Sequence, residues 1–350
     1  MLKKLSKQKI SDIITYGIVL VAFIVMQILI NAGQISSLFE GLMVPLCTYI
    51  ILAISLNLVV GVLGELSLGH AGFMCVGAFT SAFFSKCMQD TITNSIVRFL
   101  IALLIGIVVA AIFGLLIGIP VLRLNGDYLA IVTLAFGEII KNIVNVLFIG
   151  KDSKGFHFST KDVMALNMEP DGKVIVNGPQ GITGAPKDAT FFIGFILVLI
   201  TLFIVLNLIH SRDGRAIMAI RDNRIAAESI GINITKYKLM TFTISAAMAG
   251  AAGVLYGHNL SNLTANTNNF GYNMSINILV FVVLGGIGNI RGSIISAVVL
   301  TILPELLRGL SDYRMLIYAI VMMLFNWAPK AIEWREKYLS FKKNKKEAVK

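Results

Sequence analysis

Residues 96–121 read IVRFLIALLIGIVVAAIFGLLIGIPV, an almost unbroken apolar run. A helix that crosses the hydrocarbon core of a bilayer needs roughly 20 apolar residues, so this run predicts a membrane-spanning helix. The composition agrees, because 56% of the 350 residues are hydrophobic and 14% are charged, whereas soluble domains have about 25% charged residues. A soluble globule cannot cover so much apolar surface with so few charges, and a disordered chain has the opposite composition.

Comparable apolar runs predict about ten transmembrane helices. They lie near residues 11–31, 38–62, 67–86, 96–121, 128–149, 190–209, 236–257, 273–289, 293–308 and 312–329. We therefore predict an all-α polytopic membrane protein whose two membrane halves, 11–149 and 190–329, are separated by a polar loop. The glycine content and short length of 67–86 and 273–308 are typical of broken or re-entrant helices.

The separating loop, 150–189, is the longest polar stretch of the chain. It contains equal numbers of lysine and acidic residues and is therefore neutral. Pro170, Pro179, Pro186 and several glycines interrupt it, and residues of these types favour turns over regular structure. We expect an irregular loop rather than a compact domain.

The net charge of +11 is concentrated in three short segments. Residues 1–10, 211–238 and 330–350 carry net charges of +4, +3 and +5, and the rest of the chain carries −1. Lysine and arginine accumulate in the cytoplasmic loops of membrane proteins. With an even number of spans, all three segments lie in the cytoplasm and 150–189 lies outside. This predicts a multi-pass plasma-membrane protein with both termini in the cytoplasm, and it argues against a nucleic-acid partner.

Sequence motifs for catalysis, metal binding and cofactor binding are absent. The chain has no G-x-x-x-x-G-K-[ST] phosphate loop and no H-E-x-x-H or comparable metal spacing. Cys47, Cys75 and Cys87 form no disulfide framework, and no Ser or Cys is placed with a His as in a nucleophile motif. We predict that the chain is not an enzyme and has no catalytic, cofactor-binding or metal-binding residues.

Residues 211–238, SRDGRAIMAIRDNRIAAESIGINITKYK, combine positive charge with apolar periodicity. Apolar residues recur there at mixed spacings of three and four: Ile217, Ile220, Ala227, Ile230 and Ile232. This pattern predicts a short amphipathic helix over 212–231 with an exposed apolar face, and Gly231 is typical of a helix end. Such a helix either lies on anionic lipid headgroups or docks in a groove of a cytoplasmic partner.

Five motifs give the chain a specific resemblance to a known family. They are LNLVVGVLGELSLGHAGFMCVGAF (56–79), RLNGDYLAIVTLAFGEIIKNI (123–143), RDNRIAAESIGINITKYKLMTFTISAAMAGAAGVLYGH (221–258), VVLGGIGNIRG (282–292) and ELLRGLSDYRMLIYAIVMMLFNWAP (305–329). In this order they resemble branched-chain amino-acid ABC transporter permeases of the LivM rather than the LivH type. The third motif looks like the cytoplasmic coupling helix of bacterial ABC importer permeases. Two departures are Arg224, which stands where the family usually has an acid, and the lack of the family's P-x-G-L pattern after Pro329.

The resemblance implies a permease subunit of a bacterial inner-membrane ABC importer for leucine, isoleucine and valine. Together with a second permease subunit of the LivH type, it would form the pathway through the lipid bilayer. Two ATP-binding subunits would hydrolyse ATP, and an extracytoplasmic amino-acid-binding protein would deliver the substrate. The residues expected to couple the pathway to the ATPases are Arg215, Arg221, Asp222, Ala227, Glu228 and Gly231.

Other functions fit parts of the same pattern. Near relatives of the family carry urea or short amides and more distant ones carry sugars or nucleosides, so the same machinery with another small polar solute is an alternative. A self-contained secondary carrier would bury more coupled ionisable groups and would not need the 212–231 helix. A membrane scaffold without a pathway would not account for charges inside the predicted spans.

Polar and small residues inside the spans are candidates for the pathway or its gate. Glu138 and Lys141 lie three positions apart in a span, where they can form a structural ion pair or part of a gate. A helix beginning near His70 would point its N-terminal amides toward a polar cavity; the alternative is a hydrogen bond between helices. Small residues recur every four positions and form a ridge for close helix packing, which could also line a narrow pathway: Ser245, Ala249, Gly253 and Gly257.

Overall fold

The computed structural model describes residues 7–33, 36–124, 126–170, 172–307 and 320. The chain forms two units, residues 1–297 and 298–350. Residues 1–6 of the basic N-terminus, the predicted span 312–329 apart from residue 320, and the basic tail 330–350 lie outside the described residues.

The described part of the chain is mostly helical, as predicted. Before the polar loop it forms α1 (Lys7–Asn31), α2 (Ser37–Asn57), α3 (His70–Cys87), α4 (Ser95–Val121) and α5 (Asp127–Val146). After the loop it forms α6 (Phe191–His210), α7 (Arg212–Asp222), α8 (Arg224–Ser229), α9 (Ile234–Gly257), α10 (Thr267–Phe270), α11 (Tyr272–Gly285) and α12 (Ile290–Leu306). α2 continues as a π-helix over Leu58–Leu63, which ends at Gly64 in the left-handed conformation (φ 82°).

Six helical segments among the described residues are long and apolar enough to cross a membrane. They are Ile13–Ile30, Phe39–Leu63, Ser95–Val121, Asp127–Val146, Phe191–His210 and Ile234–Gly257. α3, α11 and α12 lie where three further spans are predicted. α11 has 14 residues and therefore extends about 21 Å, less than a hydrocarbon core of about 30 Å. The total of ten spans and the re-entrant segments stay predictions.

The core of the first unit is built around α2, α3, α4 and α9. Glycines let these helices approach closely: a Cβ atom on Gly77 of α3 would overlap the backbone of Gly250 of α9. Small residues at helix contacts are typical of membrane proteins, where packing rather than hydrophobicity holds helices together. α2 with its π-helical extension is almost wholly buried, whereas α4 exposes a long apolar face, as expected for a helix against lipid.

The polar loop forms a three-stranded β-sheet and contributes one strand to a second, two-stranded sheet, so the prediction of an irregular loop in an all-α chain is wrong. Its strands are β1 (Phe148–Asp152), β2 (Gly155–Ser159), β3 (Lys173–Asn177) and β4 (Ile182–Thr183), and a short β5 (Asn262–Leu263) follows α9. β1 is the central strand, antiparallel to β2 and β3, and β4 pairs with β5. The three prolines lie between the strands, where they remove no hydrogen bond from the sheet.

Candidate functional site

The predicted helix over 212–231 is in fact two short helices, α7 and α8. α7 begins after Ser211, whose Oγ accepts a hydrogen bond from the Gly214 N–H (3.0 Å). The chain then becomes extended at Asn223 (φ −155°, ψ 103°), whose Oδ1 accepts from the Ala226 N–H (3.0 Å) at the start of α8. An asparagine that caps a helix start in this way favours the break. Gly231 (φ 85°) follows α8 in the left-handed conformation expected after a helix end.

The apolar face that the sequence predicts as exposed is largely buried. Ile217, Ile220 and Ala227 lie inside the protein, and Ile220 and Ala227 pack in one core cluster with Ile234 of α9. Of the predicted face, Ile230 is exposed (76%), and Ile225, which the pattern did not include, is also exposed (81%). The open apolar surface of the segment is therefore confined to α8 and its C-terminal end.

Two basic side chains, one on α7 and one near the start of α9, bond to the end of α2 and to the residue that follows its C-cap. Arg221 donates through Nη1 to the Gly61 carbonyl oxygen (2.9 Å) and through Nε and Nη2 to Asp222 Oδ1 (3.0 and 2.9 Å). Lys238 Nζ forms an ion pair with Glu65, and their side chains are 3% and 15% exposed. This second pair is not evident from the sequence, because its partners are distant in the chain and no periodicity relates them.

The other charged coupling candidates lie at the surface. Arg215 is exposed and donates through Nη1 to the His210 carbonyl oxygen (3.2 Å) at the end of α6. Glu228 is exposed on α8. Glu228 therefore shares the open surface with the two exposed isoleucines, whereas Arg215 reinforces the connection between α6 and α7.

A cavity of about 420 Å³ lies between the α7–α8 segment and the starts of α5 and α9. Charged side chains of both signs line it: Glu65, Asp127, Arg221, Arg224 and Lys238. Its volume is within the range of about 300–1,000 Å³ that is usual for ligand pockets. The cavity leaves open space directly beside the contacts that hold the segment to α2.

His70 begins α3 and is buried where α2, α3 and α9 meet. Ser245 Oγ donates its hydrogen to the Ser55 carbonyl oxygen (2.6 Å) and so accepts from His70 Nε2 (3.0 Å). Nε2 therefore carries the proton, and Nδ1 is a buried acceptor without a partner among the described residues. The N-terminal Ala71 N–H donates to Ser275 Oγ (3.2 Å). This arrangement matches the hydrogen bond between helices rather than open amides that face a cavity.

Glu138 and Lys141 pair on one face of α5, as their spacing predicts. The distance between Lys141 Nζ and Glu138 Oε2 is 2.5 Å. Lys141 Nζ also donates to Thr267 Oγ1 (3.2 Å), and Glu138 Oε1 accepts from the Tyr272 N–H (2.8 Å). The ion pair therefore joins α5 to the starts of α10 and α11.

The predicted ridge of small residues on α9 packs against α3. Ala249 is fully buried, and a Cβ atom on Gly253 would overlap the Met74 carbonyl oxygen. A Cβ atom on Gly257 would lie 3.2 Å from the Ala78 carbonyl oxygen. With Ser245 bonded to the backbone of α2, the ridge is a close contact surface between the central helices.

Another buried ion pair lies at the opposite end of α6 from α7. Arg98 donates through Nε to Asp188 Oδ2 (3.0 Å) and through Nη2 to Asp188 Oδ1 (2.8 Å). The two side chains are only 6% and 5% exposed. The available sequence signal is an arginine within an otherwise apolar run, because such a residue needs a partner. No group of three or more His, Cys, Asp or Glu residues in the described part of the chain is placed to hold a metal ion.

Comparison with known proteins assigns the chain to a family. Residues 37–326 match the family model described as branched-chain amino acid transport system / permease component. The chain belongs to this family. With its six apolar helices, this permease is an integral membrane protein.

Individual relatives of this permease include proteins named for two kinds of substrate. It is 35% identical over 294 residues to the high-affinity branched-chain amino acid transport system permease protein LivM of Salmonella typhimurium, covering 81% of this chain and 67% of LivM. It is 26% identical over 264 residues to LivH of the same organism, covering 74% and 81%. It is 25% identical over 334 residues to the fructose import permease protein FruG of Bifidobacterium longum, covering 92% and 91%. No solved structure matches the chain.

Proposed function

We propose that the chain is a transmembrane subunit of an ATP-binding-cassette importer for branched-chain amino acids, and that its α7–α8 segment contacts the ATPase subunits. The observation that carries this proposal is the exposed pair Ile225 and Ile230 on a segment that is otherwise anchored to the membrane helices. A few apolar anchors beside charged residues suit docking in a protein groove. Binding to a lipid surface needs a helix with a large exposed apolar face, and the two isoleucines of α7 are buried.

The substrate proposal rests on the relatives. LivM and LivH are named for branched-chain amino acids, and the identity to LivM is 35%, against 25% to FruG. We therefore infer that leucine, isoleucine and valine are the substrates. The alternative substrates to be tested against this inference are fructose, urea and short amides.

The partners in this proposal are a second permease subunit of the LivH type, two ATP-binding subunits that hydrolyse ATP, and an extracytoplasmic binding protein. The bilayer is that of a bacterial inner membrane. The basic 211–238 segment and both termini lie in the cytoplasm, because lysine and arginine favour that side, and the β-sheet loop lies outside. In this orientation α7 and α8 face the ATPases, with Glu228 and Gly231 at the contact surface.

We propose that the substrate passes beside the contact between α3 and α9. His70 and Ser245 supply polar groups there, and the buried His70 Nδ1 is an acceptor that can take a hydrogen bond when the helices separate. Ala249 and Gly253 give α9 a smooth surface along this pathway, past which the aliphatic side chains of the substrates can move. Glu138 and Lys141 hold the neighbouring helix α5 in place during this movement.

Docking is tested by isolating the permease with its ATPase partner. Ile225→Glu and Ile230→Glu should each lower the amount of ATPase recovered by at least tenfold, because each places a charge in the apolar contact. Met164→Glu is the matched control, since Met164 is 89% exposed in the polar loop, which the proposed orientation places on the other side of the membrane. Unchanged ATPase recovery with both isoleucine variants would contradict the proposed docking.

The substrate is tested by uptake of labelled leucine in a strain that lacks the permease gene. Uptake should return with the gene, and unlabelled isoleucine and valine should compete with it. Competition by fructose or urea, with none by isoleucine or valine, would overturn the substrate proposal without affecting the docking proposal.

A further inference from the structure

Three segments of the chain meet around Gly61, inside the π-helical end of α2. π-helical turns are rare in proteins, and those that occur often lie at functional sites. A Cβ atom on Gly61 would overlap both the Asn57 side chain and the backbone of Gly288, in the turn between α11 and α12. The backbone of α2 and the backbone of this turn therefore approach each other closely at Gly61.

Asn57 joins the same two segments by hydrogen bonds. Its Nδ2 donates to Ser293 Oγ at the start of α12 (2.9 Å), and its Oδ1 accepts from the Gly288 N–H (2.8 Å). Asn57 is fully buried, so losing either bond would leave a polar group unsatisfied, which costs about 1–3 kcal/mol. The end of α2 and the α11–α12 turn are therefore held together as one body.

Arg221 connects this body to α7. Its Nη1 donates to the Gly61 carbonyl oxygen at 2.9 Å. Carbonyl groups near the end of a helix lack hydrogen-bond donors within the helix. The Arg221 guanidinium therefore supplies the donor that the Gly61 carbonyl does not find within the helix. A Cβ atom on Gly64 (φ 82°) would press on the aliphatic part of the Arg221 side chain, so glycine is required at that position for the arginine to lie there.

We propose that Arg221 and Asn57 are the positioning residues that transmit movement of the α7–α8 segment to α2, α11 and α12. The order of contacts is α7, Arg221, Gly61, Asn57 and then the turn at Gly288. The cavity beside Arg221 gives α7 space to move, whereas the buried bonds of Asn57 make the next two elements follow. This inference rests on the proposed function, because it presupposes that an ATPase moves the α7–α8 segment.

The first experiment needs only the purified permease. Hydrogen exchange of amides 286–293 should become at least fivefold faster in Asn57→Ala, which removes the bonds to the turn, and in Arg221→Met, which frees the Gly61 backbone that lies against the turn. Arg212→Met is the matched control, since Arg212 is exposed at the start of the same helix. Unchanged exchange in both variants would overturn the proposed connection, whether or not an ATPase binds the chain.

The second experiment measures leucine uptake and ATP hydrolysis together in the assembled importer. In the importer that assembles with Arg221→Met, leucine transported per ATP hydrolysed should fall at least tenfold, and Arg212→Met should leave that ratio unchanged. A merely structural role would lower the amount of assembled importer and leave the ratio as it is, which would overturn the proposal. If the wild-type chain binds no ATPase, the proposed function fails, and the exchange experiment still decides the contact path.

Discussion

Removing one partner of the Arg98–Asp188 ion pair should destabilise the protein far more than removing an exposed ion pair. Both side chains are about 95% buried, at 6% and 5% exposure, and Asp188 accepts hydrogen bonds on both oxygens. Arg98→Met would leave the Asp188 carboxylate without its cation in a site closed to water. Breaking a buried pair in this way costs about 3–5 kcal/mol in free energy of unfolding.

The double variant Arg98→Met, Asp188→Leu should recover most of this loss. A buried ion pair replaced as a whole by apolar side chains is often neutral or stabilising by about 1–4 kcal/mol. The matched control is Lys154→Met, which removes the exposed Lys154–Glu169 pair (side chains 73% and 37% exposed) and should cost less than about 1 kcal/mol. Free energies of unfolding are measured by denaturant titration in mixed micelles. A loss below about 1 kcal/mol for Arg98→Met, or a double variant as unstable as the single one, would refute the reasoning.

Three further changes test other parts of the structure. Gly253→Val should cost about 3 kcal/mol and lower the folded yield on size-exclusion chromatography, because backbone atoms of α3 cannot move aside; Gly41→Val, with open space around it, should not. Desolvation raises the pKa of Asp152, but the hydrogen bonds to its carboxylate together lower the pKa by more than desolvation raises it, so the pKa lies below 3.8. The stability that this carboxylate gives the β1–β2 hairpin is therefore complete above pH 3.8 and is lost as the pH falls through the lowered pKa. Hydrogen exchange of the hairpin amides, corrected for intrinsic rates, should become faster over that fall in pH, and Asp152→Asn should abolish this pH dependence. In a cysteine-free background, an impermeant maleimide should label Met164→Cys in intact spheroplasts and Ile225→Cys only after permeabilisation; the reverse pattern would invert the proposed orientation.

Local patterns were sufficient for much of the helical structure. The run that became α4 is long and apolar enough to span a membrane on its own, and the break before His70 follows from the glycines beside it. Glu138 and Lys141 were identifiable because two positions three apart on a helix are neighbours. The small ridge on α9 followed from the same helical periodicity.

Features that depend on contacts between distant residues were not predictable in this way. β4 pairs with β5 across α6 to α9, and no local pattern in the proline-rich loop indicates such a pairing. Arg98–Asp188 and Lys238–Glu65 join residues far apart in the chain. The division of residues 212–231 into α7 and α8 depends on the capping hydrogen bond of Asn223, which lies within an apparently continuous amphipathic pattern. The predicted exposed face includes Ile220 and Ala227, which are buried because Ile234 of α9 packs against them, a contact that the local pattern does not show.

The most direct test of the central claim is leucine uptake by the permease reconstituted in proteoliposomes with its LivH-type partner, the ATPase subunits and the binding protein. We predict uptake that requires ATP inside the vesicles and falls at least tenfold with Ile225→Glu, because that substitution disrupts the contact between α8 and the ATPase. Uptake that proceeds equally well without ATP, or that is unchanged by Ile225→Glu, would contradict it.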